Sequence, residues 1–531
     1  MIRRITFGAL SLICFQISSL AADLPELQEL RAKIAAQQEQ IQRLQQSVNE
    51  QQKLLDRVLQ AEPTSAPVKT EPVSTAAAPG PVKLVPAVVR SNRDIVNLPR
   101  AMQAPESKPS PLSISIGNST FTPFGFMDFI LYSRSTNVGS GLGTSFAGIP
   151  YNNTPTGHLS ELSESTANSR IGFRIDSSVK GAKVLGYFEM DFYGQPPGSV
   201  FQTSNSDTFR MRNVFVDVRK GKFEVLGGQD WSMFTPGKKS LSPIPSDIFY
   251  SQVVDLNYLS SLVWTRQSQV RLVMHPSERW TAGVSFENPQ QFIGGGVVLP
   301  SAYASLAGTQ LNNGNSTYAV PNHHPDIIGK VALDQGRAHL EAGVLVRTFK
   351  ISTNGGTPVV FTDHSTTAVS GEVNANIALT KNVRLIANTF FGAGGGRYIG
   401  GTGPDVIVRA DGSLSAVHSY ATSGGFEINP SKNSLIYAYY SGAYFQKNVA
   451  LDTNHTFVGY GYPGSPLNSN KAIQEISVGY APTFWKSPNY GALGLNMQYS
   501  YLFRNPWSVP AAGPSSAHTN MVYLNLRYTL P

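Results

Sequence analysis

The sequence predicts an all-β protein: an antiparallel transmembrane β-barrel of about sixteen strands, preceded by an N-terminal α-helical coiled coil. Three observations predict it. The chain of 531 residues opens like an exported protein, yet holds no run of about 18 or more apolar residues to form a membrane helix. Its second part repeats short stretches in which apolar and polar residues alternate, the period of a strand with two unlike faces. The connections between those stretches are short and long in turn, which is the habit of membrane barrels. Without spanning helices, a closed barrel is the one way to satisfy every backbone group inside a bilayer.

The clearest alternation lies between Arg170 and Gln229. Ile171, Phe173 and Ile175 share one face of a strand, and Gly172, Arg174 and Asp176 share the other. After a tight turn at Lys180-Gly181, Phe188, Met190 and Phe192 oppose Glu189 and Asp191. The same pattern returns at Trp280 to Glu287, Leu340 to Arg347, Leu495 to Arg504 and Val522 to Leu530. Strands are expected near 121–133, 170–178, 184–193, 209–219, 223–229, 269–275, 280–287, 326–333, 338–350, 368–379, 383–392, 417–428, 433–448, 471–483, 494–504 and 519–530. Short turns follow at 180–181, 220–221, 275–279, 334–336, 380–382 and 429–433, with long links at 134–168, 230–268, 288–325 and 393–416. An even strand count puts both ends of the barrel on the short-turn side. Trp280 and Trp485 lie beside short turns, and Trp264 and Trp507 near long-loop ends; each suits an interface girdle or a core position.

The N-terminal part has three sections. Arg3 and Arg4, an apolar core from Ile5 to Ile17, and Ser19-Leu20-Ala21 form a secretory signal, residues 1–21, with cleavage after Ala22 as the alternative. The one cysteine, Cys14, falls inside it, so no disulfide is expected in the exported chain. Residues 22–60 carry Leu27, Leu30, Ile34, Ile41, Leu44, Val48, Leu55 and Val58 at alternating spacings of three and four, the seam of a coiled coil, with Gln37 and Gln51 as polar layers. Its expected place is the periplasm. Assembly is the simplest role; contact with peptidoglycan is the other. Residues 61–112 are rich in proline and read as an extended linker, which leaves 113–531 for the barrel. Loss of Arg3 and Arg4 lowers the formal net charge of +8 by two. The remaining excess suits anionic small molecules or lipid head groups; the absence of a basic block with interleaved aromatics argues against nucleic acid.

If the apolar faces meet outer-membrane lipid, the polar faces line a lumen, and a barrel of this size leaves an aqueous channel. Arg174, Arg271, Arg347, Arg384, Arg504 and Arg527, with Lys330, then face acids such as Glu189, Asp191, Glu341, Glu372 and Glu475. Guanidinium groups stay charged and clamp carboxylates with two hydrogen bonds, so such a wall favours anions unless its charges simply pair with each other. Arg210 and Arg212 share parity with Val214 and Val216, so a bulge or strand end is required to turn them inward. The long loop from Asp230 to about Ser268 carries Trp231, Lys238 and Lys239. Folded inward it would make the two lysines an eyelet; the alternative is a solvated or subunit-contacting loop.

Two segments, Arg210-Met211-Arg212-Asn213-Val214-Phe215-Val216-Asp217 and Leu226-Gly227-Gly228-Gln229-Asp230-Trp231-Ser232-Met233-Phe234, are similar to the stretch that enters the constriction loop of the DcaP-like family of outer-membrane porins. The order of signal, glutamine-rich coiled coil, proline-rich linker and sixteen-strand barrel resembles that family as well. The resemblance implies a homotrimeric porin for small organic anions such as dicarboxylates. It also implies an aromatic C-terminus, from which Tyr528-Thr529-Leu530-Pro531 departs. Rival readings are a closed barrel serving as a tether, and an unselective or sugar-taking porin. No enzyme, cofactor or metal is expected. The nine histidines show no catalytic spacing, His323-His324 lacks a third ligand, and the glycines of 392–396 follow a strand but open no helix.

Overall fold

The computed structural model describes residues 110–194, 207–249, 251–312, 324–355 and 358–531. The predicted signal peptide, the coiled coil and nearly all of the linker lie outside these residues. Sixteen long strands form the wall: β1 Ser119–Arg134, β2 Arg170–Val179, β3 Ala182–Gly194, β4 Thr208–Lys220, β5 Phe223–Trp231, β6 Arg266–Met274, β7 Trp280–Glu287 and β8 Asp326–Gln335. They continue as β9 Ala338–Gly355, β10 Val360–Ala378, β11 Val383–Ala393, β12 His418–Ser431, β13 Ser434–Phe445, β14 Asn470–Ser487, β15 Gly491–Pro506 and β16 Ala517–Thr529. Each pairs antiparallel with its neighbours in sequence. The sheet closes where β16 meets β1, with Arg527 opposite Asp128.

The pleat sorts the side chains as the alternation requires. Leu340, Val344, Val369, Val373, Val522, Leu524 and Leu526 are exposed on the outer face, while Glu341, Glu372, Glu475 and Arg527 are buried on the inner one. A broad exposed apolar band on a closed sheet has no partner in water, whereas hydrocarbon accommodates it. At the β2–β3 turn, Lys180 (φ 48°) and Gly181 (φ 78°) both adopt positive φ, the two-residue geometry whose twist suits a tight hairpin.

Several elements depart from expectation. Glu161–Ser165 forms a short strand on β1 inside the first long link. β9 and β10 pair as far as Gly355 and Val360, beyond the expected ends at 350 and 368. Val406–Val408 pairs with Leu414–Ala416, and Asn448–Leu451 with Phe457–Tyr460. These pieces all fall at the long-loop end of the wall. Trp280 and Trp485 are exposed at the short-turn end. Trp264 is instead drawn inside, edge-on to Trp231 at 5.6 Å.

Candidate functional site in the barrel interior

The 230–268 loop runs through the inside of the barrel. A buried loop must satisfy its backbone N–H groups, and here the inward polar residues of the wall do so. Met233 N–H donates to Glu287 (2.9 Å), Gly237 to Glu341 (2.9 Å), Ser240 to Asp334 (2.9 Å), Gln252 to the Tyr439 hydroxyl (3.1 Å), Val254 to Gln498 (2.5 Å), Ser260 to Glu475 (2.9 Å) and Val263 to Asn388 (3.2 Å). Many inward acids are therefore acceptors for the loop.

Most of the predicted arginines are anchors in the same sense. Arg347 is buried and bonds Asp326 (3.1 Å), Asp405 (2.8 Å) and the carbonyls of Gly394 and Gln290 (2.5 Å each). This pins the glycine-rich segment 394–405. A Cβ on Gly395 or Gly403 would collide with the rings of Phe390 and Phe445, so the glycines serve close packing. Burial, with Asp326 and Glu287 nearby, pushes the Tyr398 phenol well above its ordinary range, and it donates to Asp326 at 3.0 Å. Arg504 donates to Ile149 O (2.8 and 2.5 Å) and Asn470 (2.8 Å), holding the first long loop. Arg271 reaches Trp231 O at 2.9 Å and Asp230 at 3.4 Å. Arg527 clamps Asp128 at 2.6 and 2.5 Å, and Arg174 clamps Asp176 at 2.5 and 2.6 Å. Arg384 lies 3.9 Å from Glu427. Lys238 and Lys239, the expected eyelet, lie on a leg of the inward loop that the bonds of Gly237 and Ser240 to Glu341 and Asp334 hold toward the short-turn end, apart from Arg210 and Arg212.

One part of the interior differs. The β3–β4 register shifts between Glu189↔Asn213 and Met190↔Met211, so Arg212 is the extra residue of a bulge. The bulge resolves the parity conflict: Arg210, Arg212 and Asn213 point in while Met211 points out. Asp191 takes Arg210 at 3.0 and 2.7 Å and Arg212 at 2.6 Å; Glu189 takes Arg212 at 2.7 Å and Arg170 at 3.4 Å. Beside them, Arg266 stacks over Trp231 at 5.1 Å. Among the described residues its guanidinium makes no hydrogen bond or ion pair, and Nη2 of the buried Arg212 has no acceptor. Four guanidinium groups thus meet two carboxylates. Arg210, Arg212 and Arg266 border a cavity of about 370 Å³, together with Trp231, Tyr258, Trp264 and the hydroxyl and amide groups of Ser145 and Asn257.

The alternation missed Arg266, because it shares parity with the outward Ser268 and Val270. Being the first residue of β6, it is free to fold over Trp231 into the cavity.

No model of a known protein family matches the sequence, and no curated protein matches it. Solved structures do. The outer membrane channel DcaP of Acinetobacter baumannii aligns over 78% of this chain and 98% of its own, at 16% identity and a TM-score of 0.56. An anion-selective porin from Comamonas acidovorans aligns over 77% and 99%, at 12% identity and TM-score 0.45. OmpT, an outer membrane protein of Vibrio cholerae, aligns over 78% and 99%, at 10% identity and TM-score 0.41. By its sixteen-strand closed barrel, this chain shares the fold of the DcaP-like outer-membrane porins.

Proposed function

We propose that the protein is an outer-membrane porin with a preference for small organic anions. The observation that carries this is the cavity bordered by Arg210, Arg212 and Arg266, which lies inside a barrel whose outer face is apolar. Guanidinium groups with unfilled donors inside a lumen attract anions and repel cations. Dicarboxylates match the surplus of two positive charges, and the family resemblance points to the same solutes. The resemblance also supports a homotrimer in the outer membrane, with residues 22–60 as a periplasmic coiled coil beside the peptidoglycan.

The test is reconstitution of the purified protein in a planar bilayer across a salt gradient. The expected result is stepwise conductance with a zero-current potential of the sign set by chloride. Cation preference would sink the proposal. A closed barrel serving as a tether is the second reading, favoured by the dense bonding of the 230–268 loop to the wall. Silent bilayers from folded protein would support it.

A further inference from the structure

The arginine-bordered cavity does not end at a wall strand. Leu256 and Tyr258 line it from one side, and the same two residues line a second cavity of about 30 Å³. The first is roofed by Ser140, Gly143 to Ala147 and Gly400 to Thr402, all from long loops. The second is bordered by Arg170, Arg527, Asn496 and Asn525, the last three lying toward the short-turn ends of β15 and β16. Leu256 and Tyr258 therefore separate the large arginine-bordered cavity from a water-sized pocket beside Arg170 and Arg527.

That partition is a clamped turn. Tyr258 N–H donates to Asp255 O at 3.0 Å. The Asp255 carboxylate accepts from Asn257 N–H (2.8 Å), from Thr144 N–H of the first long loop (3.1 Å) and from the Tyr523 hydroxyl of the wall (2.8 Å). Asn257 returns a bond to Thr144 O at 3.0 Å. Inside the clamp, Tyr258 holds φ at 60°, a left-handed conformation that a bulky side chain rarely adopts. Its buried ring is edge-on to Trp231 at 6.2 Å and to Trp264 at 5.3 Å. Backbone strain held in place by surrounding bonds clusters at active sites, ligand clamps and switch regions.

We infer that the Asp255–Tyr258 turn is the gate of the pore: the Tyr258 ring closes the way from the large arginine-bordered cavity to the pocket beside Arg170 and Arg527, and anions cross when the turn swings aside. This rests on the porin reading above. Glycine adopts positive φ without strain, so Tyr258→Gly keeps the turn while removing the stopper. Its single-channel conductance is expected to rise severalfold over wild type, with the barrel folded as judged by strand-rich circular dichroism and heat-shifted gel mobility.

A second variant reads the motion itself. A Cβ at position 143 would lie 3.2 Å from Asn257 Cγ, so Gly143→Cys with Asn257→Cys places two thiols within disulfide reach. The native Cys14 falls in the predicted signal peptide and offers no competing thiol. Oxidation is expected to lower conductance severalfold and reduction to restore it. Unchanged conductance in folded Tyr258→Gly overturns the gate, and so does an oxidised pair that conducts like the reduced one. Failure of the anion preference alone looks different: conductance that responds to both variants but prefers cations.

Discussion

Two clusters in one lumen use arginine for opposite ends. Around Arg347, the guanidinium meets Asp326, Asp405 and two backbone carbonyls, and Arg397 adds a contact to Asp326 at 3.4 Å. Each charge there is met at close range, and the cluster holds a loop. Around Arg210, Arg212 and Arg266, the acids run out before the guanidiniums do. The lesson is that a count of inward arginines says little about a pore. What separates a staple from a site is the number of acceptors the fold places around each one.

The largest expected effect falls on the staple. Arg347→Ala leaves Asp326 and Asp405 buried without their main partner, so stability should fall by about 3–5 kcal/mol. The check is the thermal midpoint of the detergent-solubilised barrel, which should drop while anion preference keeps its sign. Equal losses of selectivity in Arg347→Ala and in variants of the Arg266 cluster would erase the distinction between the two regions.

An intermediate effect is expected at Asp191. Asp191→Asn removes a charge that neutralises Arg210 and Arg212, at a cost of about 1–3 kcal/mol for weakened buried bonds. Anion preference should rise, read as a larger zero-current potential. A fall would show that Asp191 orients the arginines more than it offsets them.

The smallest effect comes from salt alone. Screening shortens from about 10 Å at 0.1 M to about 3 Å at 1 M. Selectivity measured at a fixed concentration ratio should therefore weaken as total salt rises, while the thermal midpoint, set by buried clusters such as that of Arg347, moves little. A selectivity independent of salt would point to pore size rather than to charge.

The wall was legible in the sequence because lipid on one side and polar groups on the other force a period of two. The short turns were legible for the same reason, as breaks in that period; Lys180-Gly181 is one. Parity also exposed the irregularity at Arg210 and Arg212, and the β3–β4 bulge is its cause. Legibility ends where the lipid constraint ends. Glu161–Ser165 and the upper β9–β10 hairpin lie at the long-loop end, and their sequences carry no clean alternation to read. Arg266 was missed because parity governs the body of a strand and not its first residue. The setting of Lys238 and Lys239 depends on the backbone bonds of Gly237 and Ser240 to acids about a hundred residues away, which no local pattern encodes.

The central claim is that selectivity arises where guanidinium groups lack partners. The most direct measurement is the zero-current potential of Arg266→Glu beside that of wild type, in the same salt gradient. Arg266 makes no ion pair with the described residues, and its stacking on Trp231 is worth about 1 kcal/mol, so the variant should fold. The predicted result is collapse of the anion preference toward zero or its reversal, with little change in the thermal midpoint. An unchanged potential in the folded variant would contradict the account.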